Sequence, residues 1–161
     1  MWVRKAVTQK KILKAKKPER DAYACAIDLL SRREHSQLEL RAKLEKREFP
    51  QEQIEKALEQ LITRDYQSDQ RFLEDFVRSR VLRGKGPLLI SQELRQRGVD
   101  RSAFEAHCHE CEIDWYEVAE QTYLKKFGEI AADSMRERAK RVRFMQSKGF
   151  PGDIIGRICR K

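Results

Sequence analysis

Leu94-Arg95-Gln96-Arg97-Gly98-Val99 is the stretch on which the fold turns, because variants of it stand on either side. Leu44-Glu45-Lys46-Arg47-Glu48-Phe49 lies 50 residues earlier, and Met145-Gln146-Ser147-Lys148-Gly149-Phe150 lies 51 residues later. In each, a polar, basic helix end is bracketed by one apolar residue in the first place and another in the last. Past the turn Ile54, Phe104 and Ile155 align, then Leu58, Cys108 and Cys159. Self-similarity at a fixed period marks a repeat architecture, here a unit of about 45–50 residues that occurs three times. A lone unit of that size buries too little apolar surface to be robust. Three in series are therefore expected to lean on their neighbours and to form an elongated, modular molecule.

Outward from these turns the chain reads as helix. Apolar residues recur at three- and four-residue steps: Ile54, Leu58, Leu61 and Ile62 form one stripe, and Phe72, Leu73, Phe76 and Val77 a second. Trp115, Val118, Ala119, Tyr123 and Phe127 form a third. Ser36 with Glu39, and Asp114 with Glu117, have the spacing of a capping box. Gly98, Gly128 and Gly149 stand where helices should end. The alternation of a strand is nowhere convincing. The expected fold is all-α, with three tandem three-helix, helix-turn-helix-like repeats at residues 22–66, 67–112 and 113–161. Residues 1–21 carry eight Lys/Arg against two acids and are expected to be a mobile basic tail.

Charge narrows the class of partner. Charged residues make up 38% of the 161, and the net charge is +9, which favours a polyanion or an acidic protein surface. Residues 78–101 hold seven Lys/Arg and two acids, and residues 134–161 hold nine and two. Residues 22–77 (nine against twelve) and 102–133 (two against eight) are acidic. Basic blocks thus fall in the tail, the middle unit and the last unit. Each phosphate such a block neutralised would steepen the salt dependence of binding by about 0.7–0.9 log units; the plainer alternative is a set of solvated helix faces. Hydrophobic residues at 40% are too many for a wholly disordered basic protein. No run of about 18 apolar residues exists to span a membrane, and Met1 to Lys17 lacks the apolar core of a secretory signal. Cys25, Cys108, Cys111 and Cys159 then read as reduced thiols, and a cytoplasmic protein is expected.

Catalytic chemistry finds no foothold. Gly84-Lys85-Gly86-Pro87 lacks the spacing of a phosphate-cradling loop, and Pro87 better begins a helix. His35, His107 and His109 assemble with no nucleophile. Cys108-x-x-Cys111 with His107 and His109 invites a zinc reading. All four lie in one short helical stretch without a second ligand pair, so a buried or idle thiol is preferred and no cofactor or metal is expected. Arg80 continues the Phe72–Phe76 stripe, with Arg83 nearly on the same line. Both fit two readings equally: snorkelling arginines at a helix end, or cations aimed at an anion between units.

Arg71-Phe72, Phe76-Val77-Arg78-Ser79-Arg80, Arg83-Gly84-Lys85-Gly86-Pro87, Ile90 and Glu93-Leu94-Arg95-Gln96-Arg97-Gly98-Val99 closely resemble the central signature of the RecX family. Ser36-Gln37-Leu38-Glu39-Leu40-Arg41-Ala42-Lys43-Leu44 resembles its first-unit helix, and Arg143-Phe144-Met145-Gln146-Ser147-Lys148-Gly149-Phe150 its third. Tyr66, Asp69 and Phe72 match the family's joint between the first two units, while Gln67 and Ser68 depart from its usual apolar-acidic pair. The resemblance covers about residues 22–160. It implies three tandem three-helix units and a regulator that is not an enzyme. It also implies binding along the RecA filament, with inhibition of RecA strand exchange, ATP hydrolysis and co-protease activity. Weaker binding of single- and double-stranded DNA is implied as well. On that reading a monomer is expected, and Arg78, Arg80, Arg83, Lys85, Arg95, Arg97, Arg141, Arg143 and Lys148 supply the attraction to RecA and DNA. The rivals are a sequence-independent DNA binder acting by competition for DNA, and a helical protein-binding adaptor.

Overall fold

The computed structural model describes residues 21–159; apart from Asp21, the stretch expected to be a mobile tail lies outside them. Among the described residues there are nine helices and no strand. They are α1 (Ala22–Leu30), α2 (Gln37–Glu45), α3 (Gln51–Thr63), α4 (Asp69–Leu82), α5 (Pro87–Arg95), α6 (Arg101–Glu110), α7 (Trp115–Phe127), α8 (Met135–Ser147) and α9 (Gly152–Ile158). None is long and apolar enough to cross a membrane.

Helix starts follow from short polar side chains that take an orphan N–H of the first turn. Asp21, Ser36, Ser68, Asp114 and Ser134 accept from the backbone N–H of Ala24, Glu39, Arg71, Glu117 and Glu137 at 2.7–3.3 Å. At Ser36 only half of the expected box forms. The Glu39 carboxylate turns instead to Arg33 and Arg97 (2.9 and 3.1 Å). Pro87 opens α5 behind the extended Gly86.

Helix ends confirm the repeat atom by atom. The N–H of Phe49, Val99 and Phe150 donates to the carbonyl of Leu44, Leu94 and Met145 at 3.4, 3.1 and 3.3 Å. This is the six-residue closure that satisfies a last-turn carbonyl, and it needs a left-handed residue just before the donor. Glu48, Gly98 and Gly149 occupy that place at φ 62°, 80° and 86°. The apolar residue that opens each motif (Leu44, Leu94, Met145) is wholly buried.

Three cores follow in chain order. Ala26, Leu40, Leu44, Ile54 and Leu61 centre the first, Phe72, Leu73, Val77, Ile90 and Leu94 the second, and Ala119, Met145, Phe150 and Ile155 the third. The most extensive helix contacts are those within a unit, led by α1 on α3 in the first and α7 on α9 in the third. Two stripe expectations are corrected. Ile62 is 42% exposed, because it sits past the edge of the stripe that Leu58 and Leu61 bury. Trp115 leaves its stripe to pack on the second core, 6.3 Å from the Phe104 ring.

Candidate functional site

The joints between units decide which charges remain available. At the first joint Leu38 packs beside Gly98, and a set of polar contacts accompanies it. Gln67, almost fully buried, donates to the His35 carbonyl (3.2 Å) and to Asp69 (2.8 Å), and Asp69 accepts from the Gln37 N–H (2.9 Å). Arg71 reaches Glu34 at 3.0 Å and Arg97 reaches Glu39 at 3.1 Å. Gln67 and Ser68 thus have work of their own, as bridge and as helix cap. Burial lowers the affinity of His35 for a proton below the usual imidazole value.

A groove of about 670 Å³ lies beside this joint, walled by Arg33, Arg78, Arg80, Arg83 and Arg97 and floored by Phe72 and Phe76. It is arginine-rich, and most of its arginines are already engaged in ion pairs. Arg80 lies over the Phe76 ring (4.1 Å to the centroid) and pairs with Glu93 at 2.7 Å. Arg97 lies over Phe76 (4.9 Å) and Lys85 holds the other Glu93 oxygen at 2.5 Å. Arg78 pairs with Asp75 and Arg33 with Glu39. Partial burial works to raise the Glu93 carboxyl, but hydrogen bonds and charge from Arg80 and Lys85 outweigh it and hold it below the usual carboxylate value. Only Arg83 in this groove has no ion-pair partner among the described residues. The two arginines that the sequence treats alike therefore part: Arg80 is engaged by Glu93 and Phe76, while Arg83 is exposed and unpaired among the described residues.

The second joint is made of backbone. The Gly86 N–H donates to the Lys148 carbonyl (2.7 Å) and the Leu88 N–H to the Gly149 carbonyl (3.0 Å), so the turn after α8 caps the start of α5. A side chain on Gly86 would meet the Gly149 carbonyl group, and one on Gly149 would meet Leu89. Beside this joint opens a second groove of about 590 Å³. Its cations are Arg83, Lys125, Lys126 and Lys148, and its apolar floor includes Val81, Val118 and Phe144. No carboxylate lines it among the described residues. Lys148 rests over the Phe144 ring at 5.5 Å. Lys125 and Lys126 belong to a stretch of net −6, so block charge could not find them; only the fold brings them to Arg83.

The other expected site residues scatter. Arg95 and Arg143 are exposed without an ion-pair partner among the described residues. Arg141 is withdrawn from any surface role: it is 6% exposed, donates to the Tyr123 hydroxyl (2.8 Å) and the Ile130 carbonyl (2.7 Å), and lies 5.0 Å from the Phe127 centroid. His107 and Cys111 approach to 3.7 Å, and among the described residues no three His, Cys, Asp or Glu gather as metal ligands. Burial pushes the Cys108 thiol up to about 11, which suits an inert packing residue.

Three three-helix modules in series, with exposed cations on the second and third that are unpaired among the described residues, define a modular all-helical protein. The models of the first, second and third three-helix domains of RecX match residues 22–61, 68–106 and 112–159. The regulatory protein RecX of Pseudomonas savastanoi pv. phaseolicola is 43% identical over 133 residues, 83% of this chain and 86% of that one. Its counterpart in Pseudomonas fluorescens is 45% identical over 134 residues, with the same coverage. A crystal structure of a regulatory protein RecX superposes with a TM-score of 0.72 at 25% identity, over 87% of this chain and 72% of that one. The RecX of Lactobacillus salivarius shares the fold, with a TM-score of 0.66 over 86% of this chain and 92% of that one. The chain belongs to the RecX family.

Proposed function

We propose that this protein regulates the RecA recombinase by binding the RecA nucleoprotein filament. It inhibits strand exchange, ATP hydrolysis and co-protease activity in DNA repair and the SOS response, catalysing no reaction itself. Binding to single- and double-stranded DNA is accessory. Family membership across all three units supports the reading. The observation that carries it is a set of cations the molecule does not use on itself: Arg83, Arg95, Arg143, Lys125 and Lys126. They lie on consecutive modules, and several weak contacts to one repetitive partner multiply through effective concentration. Arg78, Arg80, Lys85, Arg97 and Lys148 contribute from partly engaged positions; the buried Arg141 contributes structure. Inhibition then arises from occupying the path of a second DNA strand. A titration of RecA strand exchange tests this: inhibition is expected at protein levels below the number of DNA sites and is expected to persist in DNA excess. Inhibition that vanishes when DNA is added in large excess would assign the effect to competition for DNA instead.

A further inference from the structure

The two grooves beside the joints differ in one respect that assigns them different work. Both are cationic, yet the first carries Glu34, Glu39 and Asp75 in its walls, with Glu93 saturating Arg80 and Lys85. A polyanion entering there would have to displace ion pairs already made. In the second groove the four cations face no carboxylate, and three of them, Arg83, Lys125 and Lys126, are solvent-exposed. No lining carboxylate among the described residues balances their charge, the condition under which phosphate binding gains from counterion release. Its floor adds the half-buried Phe144 ring, fixed edge-on against Phe127 at 5.2 Å between centroids. The backbone hydrogen bonds of Gly86 and Leu88 to the turn at Lys148 and Gly149 tie the two walls together.

We infer that this seam between the second and third units is the protein's own track for single-stranded nucleic acid. Arg83, Lys125 and Lys126 take phosphates, and a base stacks on Phe144 by displacing Lys148, which rests over that ring and then turns to a phosphate. A cationic groove with an aromatic floor is the arrangement by which single strands are held without regard to sequence. The inference rests on the reading above only for its biological setting, since the seam would hold a strand whether or not a filament is bound.

The test is fluorescence anisotropy of a labelled oligothymidylate with the full chain, titrated with salt. K125Q/K126Q removes two exposed cations. At about 0.7 log units of salt dependence per single-strand phosphate contact, the slope should fall by about 1.4 and the affinity at 0.1 M salt by about 25-fold. R32Q/R101Q removes the same net charge from exposed, already paired positions, where Arg32 meets Asp28 and Arg101 meets Glu105, and should leave the slope unchanged. F144L should weaken binding about fivefold at unchanged slope. Equal loss in both double variants, or no loss in K125Q/K126Q, overturns the seam assignment; an unaltered affinity in F144L overturns its single-strand character. Filament association is measured on the wild type in parallel. Its failure would sink the RecA reading and leave the seam result standing, so the two are distinguishable.

Discussion

Gly86→Ala probes the contact that makes the second and third units one body. At φ −86° and ψ 167° any residue fits the backbone, so the substitution carries no conformational penalty of its own. The new Cβ would lie 2.5 Å from the Gly149 carbonyl carbon and 2.7 Å from the Phe150 nitrogen, about 1 Å inside ordinary contact. Two responses are open. The joint can separate and lose the Gly86–Lys148 and Leu88–Gly149 hydrogen bonds, at about 0.5–1.5 kcal/mol each. It can instead stay shut and hold overpacking strain of about 1–3 kcal/mol. Alanine also stiffens the unfolded chain, which returns about 0.4–1 kcal/mol. The net cost is about 1–2 kcal/mol, or a fall in Tm of about 2–8 °C for a chain of this size. Hydrogen exchange should show the loss first at the Leu88 amide and the amide of residue 86. A variant as stable as wild type, with those amides equally protected, would refute the view that the joint is a tight backbone contact.

Three further substitutions have expected outcomes. Gly156→Ala, within α9 and with nothing within 4 Å of the added carbon, should stabilise the protein by about 0.5–1 kcal/mol in urea unfolding. Leu94→Ala removes a fully buried side chain at the start of the middle turn and should cost about 2–5 kcal/mol by the same assay. The Glu93 carboxyl titrates below its ordinary 4.5, so its stabilising effect is complete above that pH and is lost as pH falls through the lowered value. Glu93→Gln should therefore cost about 1–3 kcal/mol at neutral pH and flatten the acid limb of the stability profile; an acid limb as steep as that of wild type would contradict the pairing.

Fold was legible where local chemistry and periodicity agreed. The turns after Leu44, Leu94 and Met145 could be aligned because each needs apolar residues on both sides of a left-handed position. The match is imperfect because Glu48 stands where the other two units have glycine. Caps at Ser36 and Asp114 were readable for the same local reason. The site was less legible, because a basic helix does not announce which arginine it keeps for itself. Arg141 and Arg143 sit in one run of cations, yet Tyr123 and Phe127, contributed by another helix, bury the first and leave the second out. Lys125 and Lys126 were hidden by the opposite effect, two cations inside an acidic stretch that the fold carries to Arg83. Both cases turn on contacts between distant segments, to which charge counted along the chain is blind.

Direct imaging of a preformed RecA–DNA filament saturated with this protein reaches the heart of the matter. Continuous added density is expected, following the helical groove and spanning successive RecA subunits, with the exposed cations of the second and third units turned inward. Filaments that stay bare while the protein decorates only naked DNA would contradict it.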